Sequence, residues 1–338
     1  MNRTIDLTTA VELALRAPSV HNTQPWRWRI TGNTVELHAD WGRHLVATDP
    51  DRRDLVLSCG AALHHLLVAL AAQNLSVLVR RLPDPEDRRH LATVDICPAA
   101  AADAPADADL LAAIAQRRTD RRRFSDRPVP AADLQELVEQ AEQAGARLIP
   151  VTSRSMRDRL AEALVEGAER QRYAPGYATE LELWTRRYAA AHDGVPRSNI
   201  TAPAANSSAH ATSLRRFPHG QLRQPQQFAG HAPENDAAEL LIIATPADTV
   251  LDRIRAGEAT SAVLLAATRL RLATTPLSQG IEVDSTRLAI QRDVLHVPEY
   301  PQLLIRVGRP APTATELPTT PRRTLRSVLL PPADPPAA

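Results

Sequence analysis

Two short stretches concentrate the chemistry-bearing side chains of this sequence. The first, RAPSVHNTQPWRWRI, runs from Arg16 to Ile30 and puts a donor or acceptor on nearly every residue between Ser19 and Gln24. Such a loop suits a flat, heteroatom-rich ligand. A metal would ask for converging His, Cys or carboxylate ligands, and no metal site is expected. A polar surface loop leading into a tryptophan-anchored strand accounts for the same residues. The second stretch, QRRTDRRRFSDRPVP, spans Gln116 to Pro130. Arg117 and Arg121 lie four apart, as do Arg118 and Arg122, so a continuing helix would present two adjacent cationic rows. Two or three guanidinium groups make a phosphate clamp through bidentate bonds. From these residues alone a clamp and a solvated arginine face fit equally well. Nucleic acid would want further basic and aromatic residues, and only Phe124 is near.

The composition narrows the chemistry. The chain has 338 residues, with 40 Lys+Arg against 39 Asp+Glu and a net charge of +1; it contains no lysine, so every basic residue of that 40 is arginine. Schiff-base catalysis and a Walker-type phosphate loop both need a lysine and are excluded. Arginine does not release its proton near neutral pH, so any proton the chemistry consumes would come from water or substrate. Near-neutral net charge argues against a general polyanion binder, and nucleic acid is not an expected partner. Cys59 and Cys97 stand alone, and GxSxG, HExxH, GxGxxG and CxxC patterns are absent. His64 and His65 are adjacent on an apolar helix and face different directions, which suits a core or interface pair better than a metal. No secretory pattern and no 18-residue apolar run stand out, so a cytoplasmic protein without membrane association is expected.

The elements that must position these residues follow from periodicity. Thr8 or Thr9 can cap a short helix that ends at Ala17-Pro18. Strands at Trp26–Ile30 and Thr34–Ala39 flank a turn at Thr31-Gly32-Asn33. A buried helix covers Asp51–Gln73, with Leu55, Cys59, Leu63, Leu66 and Leu70 at three- and four-residue spacing. Strands follow near Ser76–Leu82 and Thr93–Cys97, then a linker at Ala99–Asp109. The second part reads as helices at 110–118, 131–144, 155–171 and 179–192, a strand at 147–151, and an irregular polar segment from Asp193 to Asp236. Regularity returns with a strand at 240–245, helices at 249–272 and 284–295, and a strand at 302–307. A segment as long and polar as 193–236 reads as a functional lid or as disordered chain.

The chain also resembles itself. Displaced by 197 positions, HLVATDPD meets LIIATPAD and GAALHHLLVAL meets GEATSAVLLAA, so that Gly60/Gly257, Ala62/Ala259 and Leu75/Leu272 coincide. Two related halves of this kind would pack as an internal pseudo-dimer.

The loop's Ala-Pro-Ser-x-x-Asn-x-Gln-Pro-Trp pattern resembles the signature of the nitroreductase-type flavoproteins, where it lies against FMN. The Arg-Arg-Thr-x-Arg run ahead of Phe124 and Pro-Val-Pro resembles that family's FMN phosphate and ribityl motif. ATTPLSQGIE (Ala273–Glu282) resembles the segment whose backbone passes the flavin ring, PQLLIRVGRP the last core strand, and TPRRTL (Thr320–Leu325) the arginine tail that returns to the phosphate. The ordered set covers most of the chain. Single-domain members carry arginines and loop in one chain and pair as homodimers; here the loop lies in the first half and the arginines in the second. The arrangement is most similar to the Acg-like branch, a fused pseudo-dimer with a lid.

The resemblance implies an α+β, nitroreductase-like fold in two related halves, each a central antiparallel sheet flanked by helices: 1–108, then 109–330 carrying the lid 193–236, then a flexible tail 331–338. It implies one FMN per chain and NAD(P)H as co-substrate for reducing a small-molecule acceptor, or alternatively FMN storage under a closed lid. The chain would be a monomer acting as a pseudo-dimer, compatible with further assembly. Cofactor-binding residues would be Pro18, Ser19, Val20, Asn22, Gln24, Arg117, Arg118, Thr119, Arg121, Pro276, Leu277, Ser278, Arg322 and Arg323. Of these, Arg121 is the candidate catalytic residue, a cation for N1 and the C2 carbonyl of the flavin.

Overall fold

The computed structural model describes residues 6–97, 106–186, 191–202, 215–225 and 237–331. Most of the linker, the end of the 179–192 helix, much of the lid and nearly all of the tail therefore lie outside the described residues. Helix α1 (Leu7–Ala14) is capped by Asp6, whose carboxylate accepts from the Thr9 backbone N–H at 2.9 Å and the Thr9 hydroxyl at 2.6 Å. The cap precedes the expected Thr8 or Thr9 because a carboxylate at the positive helix end serves both groups at once. Strands β1 (Trp26–Thr31) and β2 (Thr34–Ala39) form the expected hairpin, with Gly32 supplying a φ of 55° at the turn. Helix α2 (Arg53–Ala71) and strands β3 (Ser76–Arg81) and β4 (His90–Cys97) complete an antiparallel sheet of order β1-β2-β4-β3.

The second half repeats the plan. Helices α3 (Leu111–Gln116) and α4 (Ala131–Gln143) lead to β5 (Arg147–Pro150), and α5 (Arg154–Arg172) and α6 (Tyr177–Thr185) follow. Then come β6 (Glu239–Thr245), α7 (Val250–Arg269), β7 (Ala273–Leu277), α8 (Gln279–Glu282), α9 (Asp284–Ala289), β8 (Tyr300–Gly308) and α10 (Leu325–Val328). Its sheet has the matching order β5-β6-β8-β7. Strand β7 falls in the segment that sequence singled out only for its likeness, because Pro276 hides its strand pattern. The helix expected over 284–295 continues past α9 as a π-type turn, Ile290–Leu295.

The two long helices, α2 and α7, occupy equivalent places at the 197-residue displacement and cross in the middle of the molecule. A Cβ built on Gly60 would lie 2.1 Å from the Ile254 carbonyl oxygen, and one on Gly257 would lie 2.0 Å from that of Leu57. The two clashes are each other's images in the repeat. One turn further along, the Nδ1 atoms of His64 and His65 both approach the Ser261 hydroxyl at 2.8 Å. These histidines are thus an interface pair, as expected. Ahead of the helices the repeat loses phase: Ala47 and Thr48 lie in a turn, whereas Ala244 and Thr245 end β6. The first half has the longer connection there, from Asp40 to Arg52. By length and composition α2 is apolar enough to cross a membrane, an amendment to the expectation that no such segment exists, and it is 94% buried inside the protein.

The halves are also laced together at the end of the chain. The Leu330 N–H donates to the Trp28 carbonyl at 2.7 Å, so the tail pairs with β1 of the first sheet, and Val328 is buried in that sheet's core. Replacing Gly60 or Gly257 by alanine therefore forces backbone apart, and each variant should lose at least ~1–3 kcal/mol in chemical denaturation. The double variant should lose less than the sum, because once the helices separate the second methyl meets little.

Candidate functional site

Helix α1 ends before a loop that turns back on itself. His21, Asn22 and Gln24 have φ of 45°, 55° and 50°, a run of left-handed non-glycine residues. Conformations of this kind persist only where surroundings hold them and tend to gather at functional sites. The Ser19 hydroxyl accepts from the Gln24 N–H at 2.9 Å, and the Val20 N–H donates to Ser58 Oγ on α2 at 3.1 Å. Asn22 Nδ2 donates to the Gly194 and Pro321 carbonyls at 2.9 and 3.1 Å, which ties lid and tail to the loop.

The arginine stretch is not helical. Chain direction changes at Arg117, which caps α3 with ψ 128°, and the Asp120 N–H then bonds the Thr274 carbonyl at 2.9 Å beside β7. The expected pair of cationic rows is thereby corrected. Arg122 folds back on Asp120, Nε to Oδ1 at 2.9 Å, and faces away from the site. Arg117 and Arg118 instead meet Arg322 of the tail.

Two adjoining pockets result at the seam between the halves. The arginine pocket is lined by Arg16, Arg117, Arg118, Arg121 and Arg322 together with Ser19, Asn22 and Thr119, and no carboxylate is among the described residues lining it. Arg117 Nε and Nη1, Arg118 Nε and Arg322 Nε are buried without a partner. Burial, then the neighbouring Arg118, holds Arg117 down to about 10. Burial, then Arg117, holds Arg322 down to about 9. Uncompensated buried cations of this kind call for an anion with several acceptor oxygens.

The second pocket is the more apolar of the two. Pro18, Ser19 and Val20 come from the loop, Leu57, Ser58 and Ala61 from α2, and Thr260 from α7. Pro276, Leu277 and Ser278 close the far side. Arg121 and His21 line both pockets and so mark their junction. Burial and the nearby Arg215 hold Arg121 down to about 10; burial and the same Arg215 hold His21 down to about 3, a neutral imidazole.

Twelve of the expected residues line one or both pockets or, for Asn22, bridge loop, lid and tail beside them; Gln24 and Arg323 do not. Gln24 Oε1 accepts from the Arg323 N–H at 2.8 Å, and the Arg323 guanidinium reaches the Gln24 carbonyl at 3.1 Å, so the two brace the loop from behind. Four further residues were not foreseen: Asp54 on α2, Glu282 at the end of α8, and Arg215 and Phe217 in the lid. Arg215 is paired with Glu282 and donates to Tyr177 Oη at 2.7 Å. Phe217 meets His21 edge-on at 5.3 Å and lies under the Arg121 guanidinium at 5.2 Å. An acid at the charged start of the helical run RDLVLSCG and the basic-aromatic Arg215-Arg216-Phe217 triplet were the available signals.

Elsewhere, Glu36, His38 and His90 bring potential ligand atoms within 4.8 Å of one another on the first sheet. That group satisfies itself, with Arg29 on Glu36 at 2.6 Å and His90 Nε2 on the Thr93 hydroxyl at 2.9 Å.

The fold and site define an α+β protein of two related halves with an arginine-lined pocket and an adjoining, more apolar pocket at their seam. Residues 114–309 match the model of the nitroreductase family, and the chain belongs to that family. Within it the chain stands in the Acg-like branch. It is 42% identical over 322 residues to a Mycobacterium tuberculosis protein named as a candidate NAD(P)H nitroreductase, covering 95% of this chain and 90% of that one. Acg of the same organism, a candidate NAD(P)H nitroreductase by name, is 36% identical over 327 residues, 95% and 94% of the two chains. Among solved structures, the FMN-dependent nitroreductase NfnB of Mycobacterium smegmatis in complex with NADPH aligns with a TM-score of 0.39 and 18% identity, over 65% of this chain and 96% of that one.

The arginine pocket makes a prediction with opposite signs. In ligand-free protein Arg117→Met should leave stability unchanged or raise it, since Nε and Nη1 lose no partner and repulsion with Arg118 disappears. Inorganic phosphate should stabilise the wild type in thermal unfolding and the variant much less. Arg117 and Arg322 have folded values below the usual 12.5, so below about 9 both states hold the protons and the full repulsion is present. As pH rises through about 9 to 10 the folded state releases first and the unfolded state binds more protons. The contribution of these two groups to stability should therefore rise with pH there, and phosphate should flatten that rise.

Proposed function

We propose that this protein binds one FMN per chain across the seam of its two halves, 1–108 and 109–330, and acts as an NAD(P)H-dependent reductase of small-molecule acceptors of the nitroaromatic or quinone kind. The observation that carries this reading is the nest of buried, unpartnered arginine nitrogens adjoining a largely apolar pocket. Arg117, Arg118 and Arg322 would hold the phosphate. Ser19, Asn22 and Thr119 would bond the ribityl chain, with Pro18, Val20, Pro276, Leu277 and Ser278 against the ring. Arg121, at the junction, would face the N1 and C2 carbonyl end and favour the reduced, anionic ring electrostatically. Gln24 and Arg323 would act one step removed, by holding the loop in its left-handed conformation. When bound, FMN supplies the two-electron chemistry, receiving hydride from NAD(P)H and returning it to the acceptor through N5 in a ping-pong cycle.

One site per chain is supported by a difference between the halves. Between α1 and β1 the chain has the whole loop Leu15–Pro25, whereas between α4 and β5 it has only Ala144, Gly145 and Ala146. The second half lacks room for a matching polar loop.

One observation favours a second reading, an FMN-sequestering protein with little turnover. Phe217 lines the ring pocket, and its strand of lid is latched by the buried Arg215–Glu282 pair. A lid that stays shut keeps nicotinamide out, whereas gated catalysis needs it to open.

The visible spectrum decides. Purified protein should be yellow with one FMN per chain, and anaerobic NADPH should bleach it. A colourless protein without FMN affinity would overturn both readings; a yellow protein that NADPH cannot bleach overturns the reductase. In the occluded case Phe217→Ala should speed bleaching by ~10-fold or more, measured by stopped flow, while FMN content stays the same.

A further inference from the structure

Asp54 sits in the wall of the ring pocket on the first turn of α2, 5% exposed, with Leu57, Ser58 and Ala61 of the same helix beside it. Its Oδ2 is buried and no donor reaches it, and the side chain its carboxyl meets is Glu282, to which a protonated Asp54 can hydrogen-bond. Every other charge around it is already committed. Glu282, facing it from α8, accepts from Arg215 of the lid, from Gln171 and from the Ser278 hydroxyl at 2.6 Å. Asp49, from the connection ahead of α2, accepts the Asp54 and Leu55 N–H groups at 3.1 and 2.9 Å. Arg53 turns the other way, to Asp248 and to Gln302 Oε1 at 2.7 Å. Arg121, His21 and Tyr177 complete the charged and titratable surroundings, and no described cation bonds Asp54.

We propose that Asp54 is the proton donor of this pocket, a carboxylic acid that hands its proton to the acceptor as the acceptor is reduced. It rests on the reductase reading above. The step balances for a quinone-type acceptor. Hydride arrives from the reduced cofactor, the Oδ–H bond of Asp54 breaks as an O–H bond forms on the acceptor, and the acceptor has gained two electrons and two hydrogens. The carboxylate left behind lies beside Glu282 and recovers its proton from water.

The two carboxyls are driven apart by their surroundings, the pattern that separates an acid from a fixed charge. Burial, then the facing Glu282 and Asp49, raises Asp54 well above the carboxylate range. Asp49 itself is pushed up to about 7 by burial. Glu282 is as buried, yet the charge of Arg215 and three hydrogen bonds outweigh that burial and hold it low. A lysine-free site thus regains a proton donor that its arginines cannot provide.

The test uses Asp54→Asn beside the wild type. In ligand-free wild type at neutral pH, infrared spectra should show the C=O band of a protonated carboxylic acid, and the variant should lose intensity there. A wild type without that band overturns the proposal with no variant needed, as does a band untouched in the variant. Loaded with FMN and reduced anaerobically, the variant should keep one FMN per chain, yet be reoxidised by a quinone ~10²-fold more slowly, with the alkaline fall of the wild-type pH profile gone. Equal rates and profiles overturn the proposal alone. A wild type that binds FMN but is not reoxidised overturns it together with the reductase reading.

Discussion

The site depends on one contact, the crossing of α2 and α7 at Gly60 and Gly257. Two helices approach so closely only where neither carries a side chain, and here each glycine lies under a carbonyl of the other helix. That approach fixes how far apart the halves sit, and so the width of the slot between the loop after α1 and the end of β7. Leu57, Ser58 and Ala61 surround Gly60 on α2, while Thr260 follows Gly257 on α7; all four line the ring pocket. The packing that joins the halves and the surface that would receive a ring are the same stretch of helix.

Much of this was legible in sequence because it rests on local signals. Helix periods placed α2 and α7 within a few residues, the Gly32 turn placed the first hairpin, and the 197-residue displacement made the two glycines equivalent positions of the repeat. The likeness of the loop and arginine stretches picked out most of the pocket wall. What was hidden rests on contacts between distant segments. Arg117 and Arg118 read as part of a helix because residue spacing carries no knowledge of the bridge from Thr119 to Thr274 that straightens the chain. Gln24 and Arg323 carry the right side chains at the right motif positions, yet they satisfy each other. Asp54 is a first-turn acid at a helix start, and nothing in its sequence neighbours foretells that Glu282, far away in the chain, would face it.

Electrostatics divides the seam into two regions of opposite demand. Around Arg117, Arg118 and Arg322 there is positive charge without an internal partner. Around Asp54, Glu282 and Asp49 there are three carboxyls, and only one of them, Glu282, has an arginine. Coulombic repulsion at short range and low polarity destabilises either cluster when it is fully charged and alone. The arginines can be relieved only by an external anion, since their side chains keep their protons at neutral pH. The carboxyls can relieve themselves by holding protons.

The lid couples the two regions. Arg215 lowers Glu282 by its charge and at the same time depresses Arg121 and His21, so its position weighs on both sides of the junction. With Arg215 withdrawn, Glu282 would lose its counter-charge and Arg121 a repulsive neighbour. An opened lid would therefore bring a second carboxyl toward its protonated form, and Arg121 would hold its own proton more tightly. In the structure as it stands, Phe217 lines the same pocket while Arg215 holds Glu282 as an anion. On the proposed reading, access and proton supply would thus both depend on Arg215, whose charge bears on Glu282, Arg121 and His21.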